Sequence, residues 1–187
     1  LDHGAWRRVS TPRGSIVDSL SCSRPTSCEA IAAGKLYHWS PRGWLKQTYA
    51  TPGADARPEG ITCLTSSDCL AVGQFDEPSD WFPAALILRF DGRRWRYQPI
   101  PEPRSGNGHL YDVSCSSADA CTAVGLADPG PHSTAFGRSI AYRFDGTRWT
   151  LSRPPDPPKV GGFGELTLVD CPTATTCVAP STVTDRH

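Results

Sequence analysis

The chain has 187 residues, 38% hydrophobic and 20% charged, with 19 basic and 19 acidic side chains and a formal net charge of zero. That balance argues against a nucleic-acid grip, which needs a basic face, and gives no reason to invoke an anionic membrane. The composition is too apolar for disorder, and without an 18-residue apolar run no helix is expected to span a bilayer.

Eight cysteines, an even and high number, point to an oxidising compartment. There is no methionine, so the chain is expected to be a mature or excised product. Arginine outnumbers lysine 16 to 3 and Asn107 is the single asparagine, a bias of high-GC genomes. In chain order, the N-terminal LDHGAWRRVSTP aligns with FDGTRWTLSRPP further on (144–155) and reads as a turn with the strand after it. Next, VDSLSC (17–22) is a short β-rich segment ending in Cys22, and five residues separate Cys22 from Cys28. CEAIAAG then leads to LYHWSPRGW (36–44), a strand, a turn and a second strand opening at Trp44.

The same order recurs. PEGITC (58–63) ends in Cys63, Cys69 follows, and LILRFDGRRW (86–95) carries an Asp-Gly turn and Trp95. LYDVSC (110–115) is followed by Cys121 and by IAYRFDGTRW (140–149) with Trp149. LTLVDC (166–171) is followed by Cys177. Each second cysteine has an alanine two residues on: Ala30, Ala71, Ala123 and Ala179. Asp-Gly accepts the positive φ of a type I′ turn, so both FDG turns are expected to be tight hairpins of that type. Five-residue gaps without clustered histidines argue against zinc, whose paired ligands sit two to four residues apart. They fit four local disulfides, Cys22–Cys28, Cys63–Cys69, Cys115–Cys121 and Cys171–Cys177, each closing a small loop worth roughly 2 kcal/mol.

One unit therefore reads strand A, disulfide turn, strand B, loop, strand C, Asp-Gly turn, strand D, Pro/Gly linker. Four strands in units of 41, 52 and 56 residues between first cysteines are the signature of propeller blades. The expectation is an all-β, four-bladed β-propeller with blades near 14–53, 54–103, 104–157 and 158–187 plus 1–12. The last blade would take ThrValThrAspArgHis (182–187) as strand C and the N-terminus as strand D. Seventeen residues run from Cys28 to Trp44, and the same number is obtained from Cys177 through the joined ends to Trp6. A β-sandwich or an open array of hairpin modules is the other architecture.

The pattern [V/L]SC-x5-C-x-A-V-G with a later FDG-x-x-W resembles a blade repeat of secreted actinobacterial proteins. The FDGTRW turn is also similar to the Asp box of sialidase-like propellers, but its Asp and Gly are adjacent and Phe90 or Phe144 replaces the leading serine. In that family the box is structural, so the resemblance bears on the fold and does not imply catalysis.

Disulfide and Asp-Gly turns share one end of such blades. The other end collects the insertions, 74–83 and 127–138 between strands B and C, and the linkers 104–111 and 159–165. Insertions on one face of a repeat protein are commonly its binding loops. The candidate ligand-binding residues there are Asp80, Trp81, Phe82, Arg104, His109, His132, Phe136 and Phe163, with Trp81 and Phe82 as aromatic anchors. Arg57 and Glu59 are assigned to the equivalent linker before the second blade, and Glu165 to 159–165. Asp76, Glu77 and Asp80 lack the dense ligand pattern of a calcium loop. No nucleophile elbow, zinc-protease motif or phosphate loop occurs. The expected function is a secreted, non-catalytic recognition module for an extracellular protein or cell-surface glycan, without cofactor or metal. A lectin should repeat its sugar contacts in equivalent loops, and these loops are dissimilar. Alternatives are a sialidase-like or other polysaccharide-acting enzyme, and a structural spacer inside a larger secreted polypeptide or complex.

Overall fold

A computed structural model of the chain describes Trp6 and residues 8–77, 83–103, 108–127, 137–155 and 163–184. After a 3-10 turn at Pro12–Gly14, the first sheet runs β1 (Val17–Arg24), β2 (Ser27–Ala32), β3 (Lys35–Ser40) and β4 (Gly43–Lys46), each antiparallel to the next. The second repeats the order with β6 (Ala54–Thr65), β7 (Asp68–Asp76), β8 (Pro83–Phe90) and β9 (Trp95–Tyr97). Its outer edge is extended by β5 (Tyr49–Ala50), parallel to β9. The third is β10 (His109–Ser117), β11 (Ala120–Ala127), β12 (Arg138–Phe144) and β13 (Trp149–Ser152). A fourth, two-stranded sheet joins β14 (Phe163–Leu166) to β15 (Ser181–Thr184), with a bridge from Asp170 to Val178.

All four expected disulfides are formed. In the three complete blades the bonded cysteines lie directly opposite each other on strands A and B. Each is thus a local staple across one hairpin.

Strand alternation gives every blade two apolar faces. One face of the second blade, with Ile61, Ala71, Leu88 and Trp95, packs on Ile31 and Leu36 of the first. Its other face, with Leu70, Val72 and Ile87, packs on Val113, Ala123, Tyr142 and Trp149 of the third. The third blade then covers Leu166, Val169 and Cys171 through Val124 and Ala141. The core is therefore three layers between stacked sheets. A burial run such as that of β7, where five successive residues from Cys69 to Gly73 are buried, is what a strand covered on both faces must show.

Three expectations are corrected. The Asp-Gly turns are not two-residue type I′ turns. Phe90 pairs with Trp95 across four residues, and only Gly92 has positive φ (86°). Asp91 is not left-handed; its carboxylate instead accepts the backbone N–H of Arg93 and Arg94. Asp145 does the same for Thr147 and Arg148. A side chain that caps the loop relieves Asp of the positive φ, so a wider turn is stable. A two-residue hairpin with both residues at positive φ is found instead at Ala33-Gly34, between β2 and β3.

Residues 182–184, expected to open strand C of the last blade, pair with β14 in β15 and so belong to strand B. None of the described residues of the segment 1–12 pairs with that sheet, and Trp6 is 91% exposed. Arg57, Glu59 and Glu165, expected in linkers, lie within β6 and β14. Strand A of the second blade is long because three register shifts keep it paired with β7 back to Ala54. Trp39 takes the place of Phe90 and Phe144: each faces the second cysteine of its blade on one side and the strand D tryptophan on the other.

Candidate functional site

The end of the sheets opposite the disulfides carries the strand B–C and D–A connections. Of the residues expected to bind there, Asp80, Trp81, Phe82, Arg104, His132 and Phe136 lie outside the described residues. Phe163 opens β14, opposite Thr184. His109 opens β10 and is partly buried.

Three neighbouring strand A segments converge at this end. His109 Nε2 of the third blade lies 2.8 Å from Glu59 Oε1 of the second. The approach is within ion-pair distance but too oblique to count as a hydrogen bond of the ring N–H. The imidazole stacks at 4.2 Å on Tyr111, whose hydroxyl donates to Glu165 Oε2 of the fourth blade at 3.2 Å. A carboxylate, a histidine, a tyrosine and a second carboxylate thus form one polar row across three blades. Nothing in the spacing of the cysteines reveals it, because the bulges before them shift each strand A differently.

A notch opens at the same end between the second and third blades. Its floor is Phe75, Tyr97, Ile100 and Tyr142, its rim Glu77 and Glu102, and it encloses a cavity of about 20 Å³. That is room for little more than one water. Burial, aided by the negative charges of Glu77 and Glu102, pushes the Tyr97 phenol above its usual range. Burial does the same to Tyr142, with Glu102 and Tyr97 adding to it. Both phenols therefore stay protonated, and Tyr142 donates to the Pro101 carbonyl at 2.9 Å. The notch offers an apolar floor with a negative rim, flanked in sequence by 78–82 and 104–107. Tyr97 and Tyr142 were not expected in it. Their signal is the repeat register, which puts Tyr142 opposite Ala123 as Leu88 is opposite Ala71.

At the other end, Arg89 makes two hydrogen bonds of 2.9 Å to Asp68, a third to the Ala118 carbonyl, and lies over the Phe144 ring. Arg143 repeats the reach, donating to the Ala174 carbonyl. These arginines tie strand C of one blade to the disulfide turn of the next, a structural use.

No family model and no curated protein matches the chain. Among solved structures it is similar to the β-propeller YCF48 bound to D1 peptide, with a TM-score of 0.53 and 16% identity. The match covers 81% of this chain and 45% of that one, so the chain spans less than half the length of its structural neighbour. At that identity the likeness speaks for the fold alone, and with the stacked four-stranded sheets it makes this an all-β chain of propeller-type blades.

Proposed function

We propose that the chain is a secreted, non-catalytic recognition module whose partner is an extracellular protein, bound at the end of the blades that carries the B–C and D–A connections. The observation that carries this reading is the division of labour between the two ends. One end is spent on disulfides, capped turns and blade-to-blade arginines. The other has connections of unequal length, two residues at Ala33-Gly34 but six between Asp76 and Pro83 and ten between Ala127 and Arg138. Unequal insertions on a regular frame favour a single asymmetric partner over repeated glycan subsites.

The four disulfides fit an oxidising compartment. The structural neighbour has a D1 peptide bound, which makes a polypeptide partner a reasonable model for this chain. An apolar notch rimmed by Glu77 and Glu102 suits a segment with a basic side chain.

The test is a displayed peptide and secretome screen against the intact chain, repeated with Trp81→Ala/Phe82→Ala and with Glu77→Gln/Glu102→Gln. Partner capture falling at least about tenfold with an unchanged melting transition supports the reading. Loss of folding in the first variant, or undiminished capture in both, overturns it.

A further inference from the structure

The notch between the second and third blades is small, fixed in shape and negative at its rim. At its floor Phe75 and Tyr97 meet edge to face, with ring centres 5.9 Å apart and planes at 83°. Tyr142 lies beside them, held by its hydrogen bond to the Pro101 carbonyl. Rings packed and anchored in this way keep the cavity at its size, about 20 Å³.

Glu77 and Glu102 stand over that floor, and among the described residues no basic side chain pairs with either. Other carboxylates near the ends of the same blades are matched: Asp68 by Arg89, Asp91 by Arg96 and Glu59 by His109. The rim is thus an unneutralised negative field, and it acts on the floor. Added to burial, it raises the Tyr97 and Tyr142 phenols. The Tyr97 hydroxyl also has no hydrogen-bond partner among the described residues.

Size selects the cation that fits. Room for little more than one water admits an ammonium and not a guanidinium, whose planar fork spreads three nitrogens around a carbon. An ammonium carries three N–H donors, and the two carboxylates and the Tyr97 oxygen offer acceptors for them. Ala84, Ile100 and Pro103 line the notch with apolar surface that suits a four-carbon stem. A partner covering the notch with an apolar residue would strip water from two carboxylates and leave them unpaired, at a cost that an ammonium removes. We infer that the notch is a subsite for one lysine side chain of the partner, its ammonium held between Glu77 and Glu102 above the aromatic floor. This rests on the reading of the loop end as the polypeptide-binding end, and it adds the residue type that is read there.

The experiment is an NMR titration of the intact chain with Nα-acetyl-lysine methylamide at fixed ionic strength, followed on the Tyr97 ring. The arginine and norleucine counterparts are run alongside, as are Glu102→Gln and Glu77→Gln/Glu102→Gln. The lysine analogue is expected to give a saturable shift at millimolar concentration. Affinity is expected to fall at least about tenfold for the other two analogues and for the double variant. Glu102 is exposed, so Glu102→Gln serves if the double variant loses its fold, with an expected loss of at least about threefold. No saturable shift, equal binding of the lysine and arginine analogues, or undiminished binding to Glu102→Gln overturns the proposal. So does binding that emerges only in Arg104→Ala, which would make the chain's own arginine the occupant. The two readings fail separately. A saturable lysine site in a chain that captures no partner leaves the subsite standing and overturns the recognition reading. A captured partner that binds equally well with all its lysines changed to arginine overturns the subsite and leaves the recognition reading standing.

Discussion

At the scale of single residues, the C-x-A-V-G signature has a separate cause at each position. The cysteine staples the hairpin, and the alanine is fully buried in the three complete blades. The glycine is required by close approach. A Cβ on Gly125 would run into the His109 carbonyl and come within 2.8 Å of Leu110 Cα. Gly125→Ala should therefore destabilise by about 1–3 kcal/mol in a urea titration, as overpacking against backbone does. The first blade tolerates Ala32 there because its partner Val17 is the first residue of β1, so no paired strand continues past it.

Asp145 is the second residue with a single physical role. The Thr147 hydroxyl, then the backbone N–H of Arg148 and Thr147, hold its carboxyl down to about 2. A depressed acid contributes stability that is complete above its unfolded pKa near 4 and lost as pH falls toward 2. An NMR titration should find Asp145 ionised at pH 3, and Asp145→Asn should flatten that part of the acid-stability profile. A midpoint near 4 would show that the cap is not made. From the sequence the FDG turn was legible as a turn, but its geometry was not, because side-chain capping and positive φ leave the same two letters.

At the scale of the element, the hairpin of strands A and B is the most local unit. Its staple joins residues facing each other across one turn, so removing it returns little entropy to the unfolded chain. Cys115→Ser/Cys121→Ser should cost about 2 kcal/mol and leave a cooperative transition, measured by thermal melting under non-reducing conditions. The strand C–D hairpin relies instead on an aromatic pair, Phe144 on Trp149 at 5.2 Å and Phe90 on Trp95 at 5.3 Å. The first blade substitutes Trp39 on Trp44 at 6.5 Å. The tryptophans were readable as repeat positions. Trp39 was not, since its role is defined by what stands across from it on strands B and D.

At the scale of the molecule, stability comes from blade against blade. The first interface holds a buried carboxylate. Glu29 is buried where the next blade has Leu70, and one of its oxygens has no hydrogen-bond partner. Its other oxygen meets His38 Nδ1 at 2.6 Å. Burial outweighs that histidine and raises the carboxyl above its usual range. Replacing a buried ionic group by a packed apolar one is often neutral or favourable. Glu29→Leu should hold or raise the melting temperature at pH 7. A fall of several degrees would mean that the His38 contact sets the register of the first two blades.

The sequence by itself determined the unit: its strand order, its four staples and the end that carries the insertions. Those depend on contacts within about twenty residues, where spacing in the chain fixes spacing in the fold. Only the tertiary structure decided how the units meet. Leu20 and Ile61 stand at the same place in the repeat, two residues before a cysteine, and nothing in that pattern says that one is exposed and the other buried. The polar row from Glu59 through His109 and Tyr111 to Glu165 was hidden for the same reason. Its members are brought together by the stacking of sheets, and a face is covered only when another blade is there to cover it.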